Sequence, residues 1–253
     1  MDRLQLDKNA KLTGRVYFKD EVMWLGLSGS GASFTFDGTK LVLKLKGDNI
    51  AVGDNPIDYA RIAVYVDGKR VVDEMIDCAE KEVTVIDRTE NAQSVVEIIK
   101  LSESPMSAVG IEAFAEGSAE TLPEKPLKIE FIGDSITCGY GVDDEDENHQ
   151  FTTATEDVTK AYAYKTAKAL DAEYSMFSAS GYGIVSGYTE GDEPISEQTI
   201  PQFYCSYGFS RGNFAGTAPQ DIPWDFSKYI PQIIVINLGT NDDSYCRDYK
   251  DRQ

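Results

Sequence analysis

The apolar pattern of this 253-residue chain changes character once, and that change constrains the fold more than any other feature. Up to residue 115 the apolar residues fall in short or alternating segments parted by turn residues. These are Val16 to Phe18, Ala32 to Phe36, Leu41 to Leu45, Arg61 to Val66, Glu82 to Ile86, Val95 to Leu101 and Val109 to Ala115. Each has strand length, and no helical stretch interrupts them. Between Tyr65 and Val71 an Asp67-Gly68 pair predicts a type I′ hairpin, whose two central residues must both take positive φ. The series predicts an all-β sandwich of jelly-roll type over residues 1–116, a unit that binds or buttresses rather than catalyses.

From Glu116 to Pro126 the chain is small, polar and twice interrupted by proline, which places a linker at 117–126. Beyond it the wiring alternates. Leu127 to Ile132, Glu173 to Ser178 and Ile233 to Leu238 read as buried parallel strands, and Ala161 to Leu170 as a helix preceded by acidic Glu156 and Asp157. This predicts an α/β domain over residues 127–253. Two irregular stretches, 142–156 and 187–224, are long enough to be binding loops or lids. The first holds five consecutive acidic residues, Asp143 to Glu147, which read as a solvated run because they lack the spaced ligand pattern of a calcium loop.

The charge balance excludes several partners. With 24 Lys plus Arg against 43 Asp plus Glu, a formal charge of −19 repels phosphate backbones and anionic lipid, so neither nucleic acid nor a membrane surface is expected. The opening MDRLQLDKNAKL has no apolar signal core, and no run approaches the ~18 apolar residues of a span. A soluble chain is expected, in the cytoplasm or secreted after signal removal. Four cysteines without a CxxC pair and one histidine give no zinc pattern, so no metal is expected and the thiols are expected to be free.

Two apolar runs end in Gly-anchored polar turns: Ile129 to Gly139, containing Gly133-Asp134-Ser135, and Ile236 to Asp242, containing Gly239-Thr240-Asn241-Asp242. A parallel strand delivers side chains to the carboxyl edge of its sheet in this way. Ser135 is placed to be a nucleophile and Asn241 to donate to an oxyanion. Either turn alone is a common strand-to-turn junction.

Together with Ser178-Ala179-Ser180-Gly181-Tyr182-Gly183, these blocks resemble the SGNH, or GDSL, hydrolases over residues 127 to 253. The resemblance implies a flavodoxin-like domain whose oxyanion hole uses the Ser135 N–H, a glycine N–H of the second block and the Asn241 side chain. Spacing from Ser178 selects Gly183, with Gly181 as the fallback. Leu12-Thr13-Gly14-Arg15-Val16, Trp24 and the segment Gly29 to Phe36 followed by Gly38-Thr39 are similar to the jelly-roll unit of carbohydrate esterase family 2. That likeness implies removal of O-acetyl groups from plant polysaccharides such as xylan or glucomannan, by a serine mechanism that needs no cofactor. Tyr182 and Trp224 are candidates to bind sugar, although aromatics at this density more often pack a long loop against its sheet. The alternatives are an SGNH esterase or lipase for another acyl group and an inactive carbohydrate-binding fragment.

One departure from the family is large. Its general base is a histidine near the carboxyl terminus, whereas Gln253 lies twelve residues after Asn241 and the lone His149 sits in the acidic loop. The α/β domain is therefore expected to be incomplete, with three strands of the usual five. The missing base is expected from an absent C-terminal segment, supplied by a second polypeptide if the chain is a natural fragment.

Overall fold

The computed structural model describes residues 1–247. Its first unit contains β1 (Asp2–Leu4), α1 (Leu6–Asn9), β2 (Lys11–Thr13), β3 (Val16–Lys19), β4 (Val22–Leu25), β5 (Gly31–Gly47), β6 (Ala60–Val66), β7 (Lys69–Ile76), β8 (Glu80–Lys100) and β9 (Val109–Thr121). All pairings are antiparallel, in the order β3-β4-β9-β5-β8-β6-β7, with β1 added to β9 and β2 to β5. Alternation along these strands turns one face inward. Phe34, Phe36, Leu41, Leu43, Leu45, Ile62, Val64, Ile98, Val109 and Ile111 thus pack into one core.

Several expected strands are fused. The segments 32–36 and 41–45 are two halves of β5, and 82–86 and 95–101 are two halves of β8. The ladders shift register between Gly38 and Lys40, so the strands turn a corner by bulging rather than by breaking. The hairpin at Asp67-Gly68 has φ of 50° and 77°, as a type I′ turn requires. The expected boundary at 116 cuts through β9, because residues up to Thr121 pair with β5 and their backbone groups are ladder donors and acceptors. The connector is shorter than 117–126 and lies between Thr121 and Lys128.

The second unit contains β10 (Lys128–Gly133), α2 (Ser135–Cys138), α3 (Tyr162–Ala169), β11 (Glu173–Ser178), α4 (Ile200–Phe203), β12 (Ile233–Asn237) and α5 (Thr240–Cys246). Among the described residues its three strands are parallel in the order β11-β10-β12. Glu156 and Asp157 do not open α3: Ala161 occupies its N-cap, and both carboxylates are buried. Among the described residues no helix is long and apolar enough to cross a membrane. Cys78, Cys138 and Cys205 carry free thiols.

The two units share cores and charges. Ala63, Ile99 and Leu101 of the β unit pack with Ile129, Phe131, Val158 and Met176. The aromatic segment after α4 lies against the first unit, with Trp24 stacked on Phe214 at 4.4 Å and the Tyr207 hydroxyl donating to Trp24 O. Arg15, fully buried at the turn before β3, donates to Tyr204 O at 2.6 Å and sits 4.4 Å from the Phe177 ring centroid. Arg61 and Arg70 reach across to Asp143 and Asp157. The acidic run is thus anchored at Asp143, while 145–147 are exposed.

Candidate active site

Strand register brings the three polar turns to one edge. Gly133 of β10 is paired with Ser178 of β11 and with Asn237 of β12. Ser135, the Ser180-Gly181 turn and Asn241 therefore follow three adjacent strands at their carboxyl ends, with Ser135 on the central one. Asp134 caps α2 by accepting the Ile136 N–H at 3.1 Å, and Ser135 occupies the first helical position. At that position the N–H has no intrahelical carbonyl to meet. Gly133 allows the chain to turn this tightly, because a Cβ there would stand 2.0 Å from Thr137 Oγ1. Burial and the nearby Asp242 push the Asp134 carboxyl above its ordinary range, while the Ile136 N–H pulls it down.

Asn241 is buried, and its Nδ2 donates to Tyr182 O at 2.8 Å. An amide nitrogen has two hydrogens, so one remains for another acceptor. Asp242 accepts from the Ile184, Val185 and Ser186 N–H groups, fastening the turn after β11 to α5.

The two second-block glycines are held differently. The Gly183 N–H points to Gln198 O at 3.2 Å, its carbonyl accepts from Ile200, and a Cβ there would meet Ser186 O at 2.1 Å. Gly183 is thus tied into a bridge to Thr199. Gly181 has φ of +81° and open space where a Cβ would point. Its carbonyl accepts from Tyr188 at 2.8 Å, and the flanking Ser180 and Tyr182 N–H groups go to Glu103 and Ala179 O.

Neither expected sugar-binding aromatic is presented as an open platform. The Tyr182 ring packs against Phe203 and Phe209. Trp224 lies 5.2 Å from the Arg15 guanidinium, which in turn is 3.5 Å from Glu130, three residues and about 10 Å of strand below the carboxyl edge. Tyr140, by contrast, is 47% exposed and stacks on Phe151 at 3.9 Å, just beyond α2. No periodicity marked that pair, since it joins a turn to the acidic loop. His149 is exposed, with Nδ1 2.8 Å from Asp144 in its own loop.

Beneath the edge lies a buried charged cluster with no signature in the sequence. Glu103, Glu156 and Cys138 bring ligand-type atoms within 4.8 Å of one another. Burial pushes both carboxyls up, Glu156 furthest with Glu103 adding to it, and raises the Cys138 thiol well above its ordinary value. Burial also pulls the Lys100 ammonium down to about 8 against the raising pull of Glu156, Asp48 and Glu103. Lys100 donates to Ser102 O and Glu103 O at 2.7 and 3.0 Å, so a cation already occupies the neighbourhood.

Residues 12–126 match the carbohydrate esterase 2 N-terminal family. The chain's likeness is to carbohydrate esterase family 2. It is 32% identical over 218 residues to the cellulase/esterase CelE of Acetivibrio thermocellus, covering 85% of this chain and 24% of that one. It is 29% identical over 243 residues to an acetylxylan esterase/glucomannan deacetylase of Cellvibrio japonicus, covering 93% and 62%. A family two carbohydrate esterase from Clostridium thermocellum, solved with cellohexaose, superposes with a TM-score of 0.76 at 28% identity, covering 93% of this chain and 67% of that one. The chain thus spans about a quarter and three fifths of the length of these two curated family 2 relatives.

Proposed function

We propose that the chain carries the nucleophile and oxyanion hole of a carbohydrate O-acetyl esterase, built as a jelly-roll unit ahead of an SGNH sheet. The convergence of Ser135, Gly181 and Asn241 on one edge of three adjacent strands supports this reading most. Ser135 attacks the acetyl carbonyl. The Ser135 and Gly181 N–H groups and the second Asn241 Nδ2 hydrogen hold the oxyanion, a stabilisation of about 3–4 kcal/mol per well-placed donor. Tyr140 on Phe151 offers an exposed ring face for a sugar.

Xylan and glucomannan acetyl groups are the proposed substrates, by analogy with the Cellvibrio japonicus relative's name. The base that takes the serine proton comes from a further segment laid along β12, whose edge exposes Ile233, Ile234 and Ile236. Such an edge accepts one more strand, from the same polypeptide or another. His149 does not serve, since it is exposed and held by its own loop.

The test, run with imidazole added as a soluble general base, is intact mass after treatment with a fluorophosphonate, together with a panel of acetyl and long-chain nitrophenyl esters. Labelling of the wild type but not of Ser135→Ala, with acetyl preference, is expected. Equal labelling of both proteins refutes the nucleophile. A preference for long acyl chains refutes the substrate class.

A further inference from the structure

We propose that Glu103, a residue of the β unit, is the positioning residue that sets the oxyanion hole, by holding the turn that presents the Gly181 N–H. This inference rests on the reading of Ser135 as nucleophile and Gly181 as donor.

Glu103 follows β8 in a fully buried segment and reaches across the boundary between the two units. Its Oε2 accepts the Ser180 N–H at 2.6 Å, a short charge-assisted bond, and lies 3.9 Å from Cys138 Sγ at the end of α2. One carboxylate oxygen therefore meets the residue before Gly181 and the last residue of the helix that begins with Ser135. The remaining groups of the glycine turn are fastened elsewhere: Tyr182 N–H to Ala179 O, Gly181 O to Tyr188 N–H, and Tyr182 O to Asn241 Nδ2. With those bonds made, the Ser180 N–H to Glu103 is the hydrogen bond that ties this turn's backbone to the other unit among the described residues, and it fixes the direction in which the next N–H points. An oxyanion donor must lie within about 2.7–3.1 Å of the developing charge, so a small rotation of this peptide removes its effect.

A carboxylate so close to an oxyanion hole opposes the charge it helps to stabilise unless that carboxylate is itself compensated. The surroundings supply compensation. Lys100 binds the Glu103 carbonyl, and Glu156 Oε2 accepts the Glu103 N–H at 3.0 Å. Glu103 Oε1 and Glu156 Oε1 are both buried without a hydrogen-bond partner, in a cluster whose ligand-type atoms lie within 4.8 Å of one another. Asp48, Arg61, Arg211, Tyr140 and Tyr182 are further charged and titratable groups that act on the cluster. The β unit is thereby part of the catalytic apparatus, through a contact that neither the Gly-Asp-Ser nor the Gly-Thr-Asn-Asp turn encodes.

The experiment compares the wild type with Glu103→Gln and Glu103→Ala in two measurements on the full chain. The first records the Ser180 and Gly181 amide resonances in protein labelled with 15N-serine and 15N-glycine. A strongly downfield Ser180 proton that moves upfield in Glu103→Gln, together with a shifted Gly181 signal, is expected. Unchanged Ser180 and Gly181 signals overturn the proposal. The second measures the rate of Ser135 phosphonylation per active site with imidazole added as the general base, with the thermal midpoint measured alongside. A fall of about 10-fold or more in Glu103→Gln is expected, because full loss of a donor lowers turnover about 10²–10³-fold. A lowered midpoint with an unchanged rate per site makes Glu103 merely structural and overturns the proposal. Should Glu103→Ala fail to fold, Glu103→Gln alone decides. If Ser135→Ala is labelled as fast as the wild type, or neither is labelled, the esterase reading falls by itself and the amide measurement judges Glu103.

Discussion

At the residue scale, the buried groups carry more of the architecture than the exposed ones. Arg15 shows how a sandwich residue becomes part of the other unit's core: its guanidinium lies over Phe177, Tyr204, Trp224 and Phe226 and faces Glu130. Glu156 gives a testable sign. Its carboxyl is held well above the ordinary glutamate value by burial and by Glu103, so the folded state keeps a proton that the unfolded chain releases near pH 4.5. Stability from this group is fully present below that pH and is lost as pH rises toward the folded value. Glu156→Gln cannot ionise, and its amide oxygen still accepts the Glu103 N–H. Urea unfolding is expected to show equal stability of variant and wild type near pH 4.5. Toward pH 7.5, where Lys100 still holds its proton, the variant is expected to gain about 1–3 kcal/mol, the scale of an unsatisfied buried polar group. A variant less stable than the wild type at pH 7.5 contradicts this assignment.

At the element scale, the strand-to-turn junctions were legible because their chemistry is local. A run of apolar residues ending in Gly133-Asp134-Ser135 encodes a buried strand, a tight turn and a capped helix start within a few residues, and all three form. The second-block glycine was not legible. The Gly183 N–H goes to Gln198 O, fifteen residues further on, and the Ser180 N–H beside Gly181 goes to Glu103 in another unit, so no local pattern marks either. Strand fusion in β5 and β8 was hidden for a related reason, since a bulge reads in sequence as a turn. The junction itself predicts that Gly133→Ala destabilises. Its Cβ would fall 2.0 Å from Thr137 Oγ1, on a buried side chain already bonded to the Tyr162 hydroxyl at 3.1 Å. The expected loss is about 1–3 kcal/mol, as for other overpacked sites, with slower labelling of Ser135 as α2 shifts. Unfolding within 0.5 kcal/mol of the wild type would show that the turn absorbs the methyl group (about the scatter of surface substitutions).

At the scale of the whole molecule, the two units were legible as separate blocks of pattern, but their mutual dependence was not. Periodicity reports which face of a strand is apolar and stays silent on what covers it. In the structure the β unit covers part of the parallel sheet with Ala63, Ile99 and Leu101, inserts Arg15, and grips the acidic loop through Arg61 and Arg70. Contacts of this kind are lost by both units at once, so the chain should unfold as one cooperative body despite its two blocks. The two tryptophans allow a direct check, because Trp24 lies in β4 and Trp224 in the segment before β12. Trp224→Phe leaves fluorescence reporting the first unit, and Trp24→Phe leaves it reporting the second. Both variants, followed by fluorescence and by far-ultraviolet circular dichroism in urea, are expected to give coincident transitions within each variant. Coupling through buried charge also requires that weakening one crossing contact lower both reports together. In Arg70→Ala, which removes the pair with fully buried Asp157 at 2.7 Å, the midpoints of the two single-tryptophan proteins should fall by the same amount. A first-unit transition that stays in place while the second moves would mean that the β unit stands alone and the sheet merely leans on it.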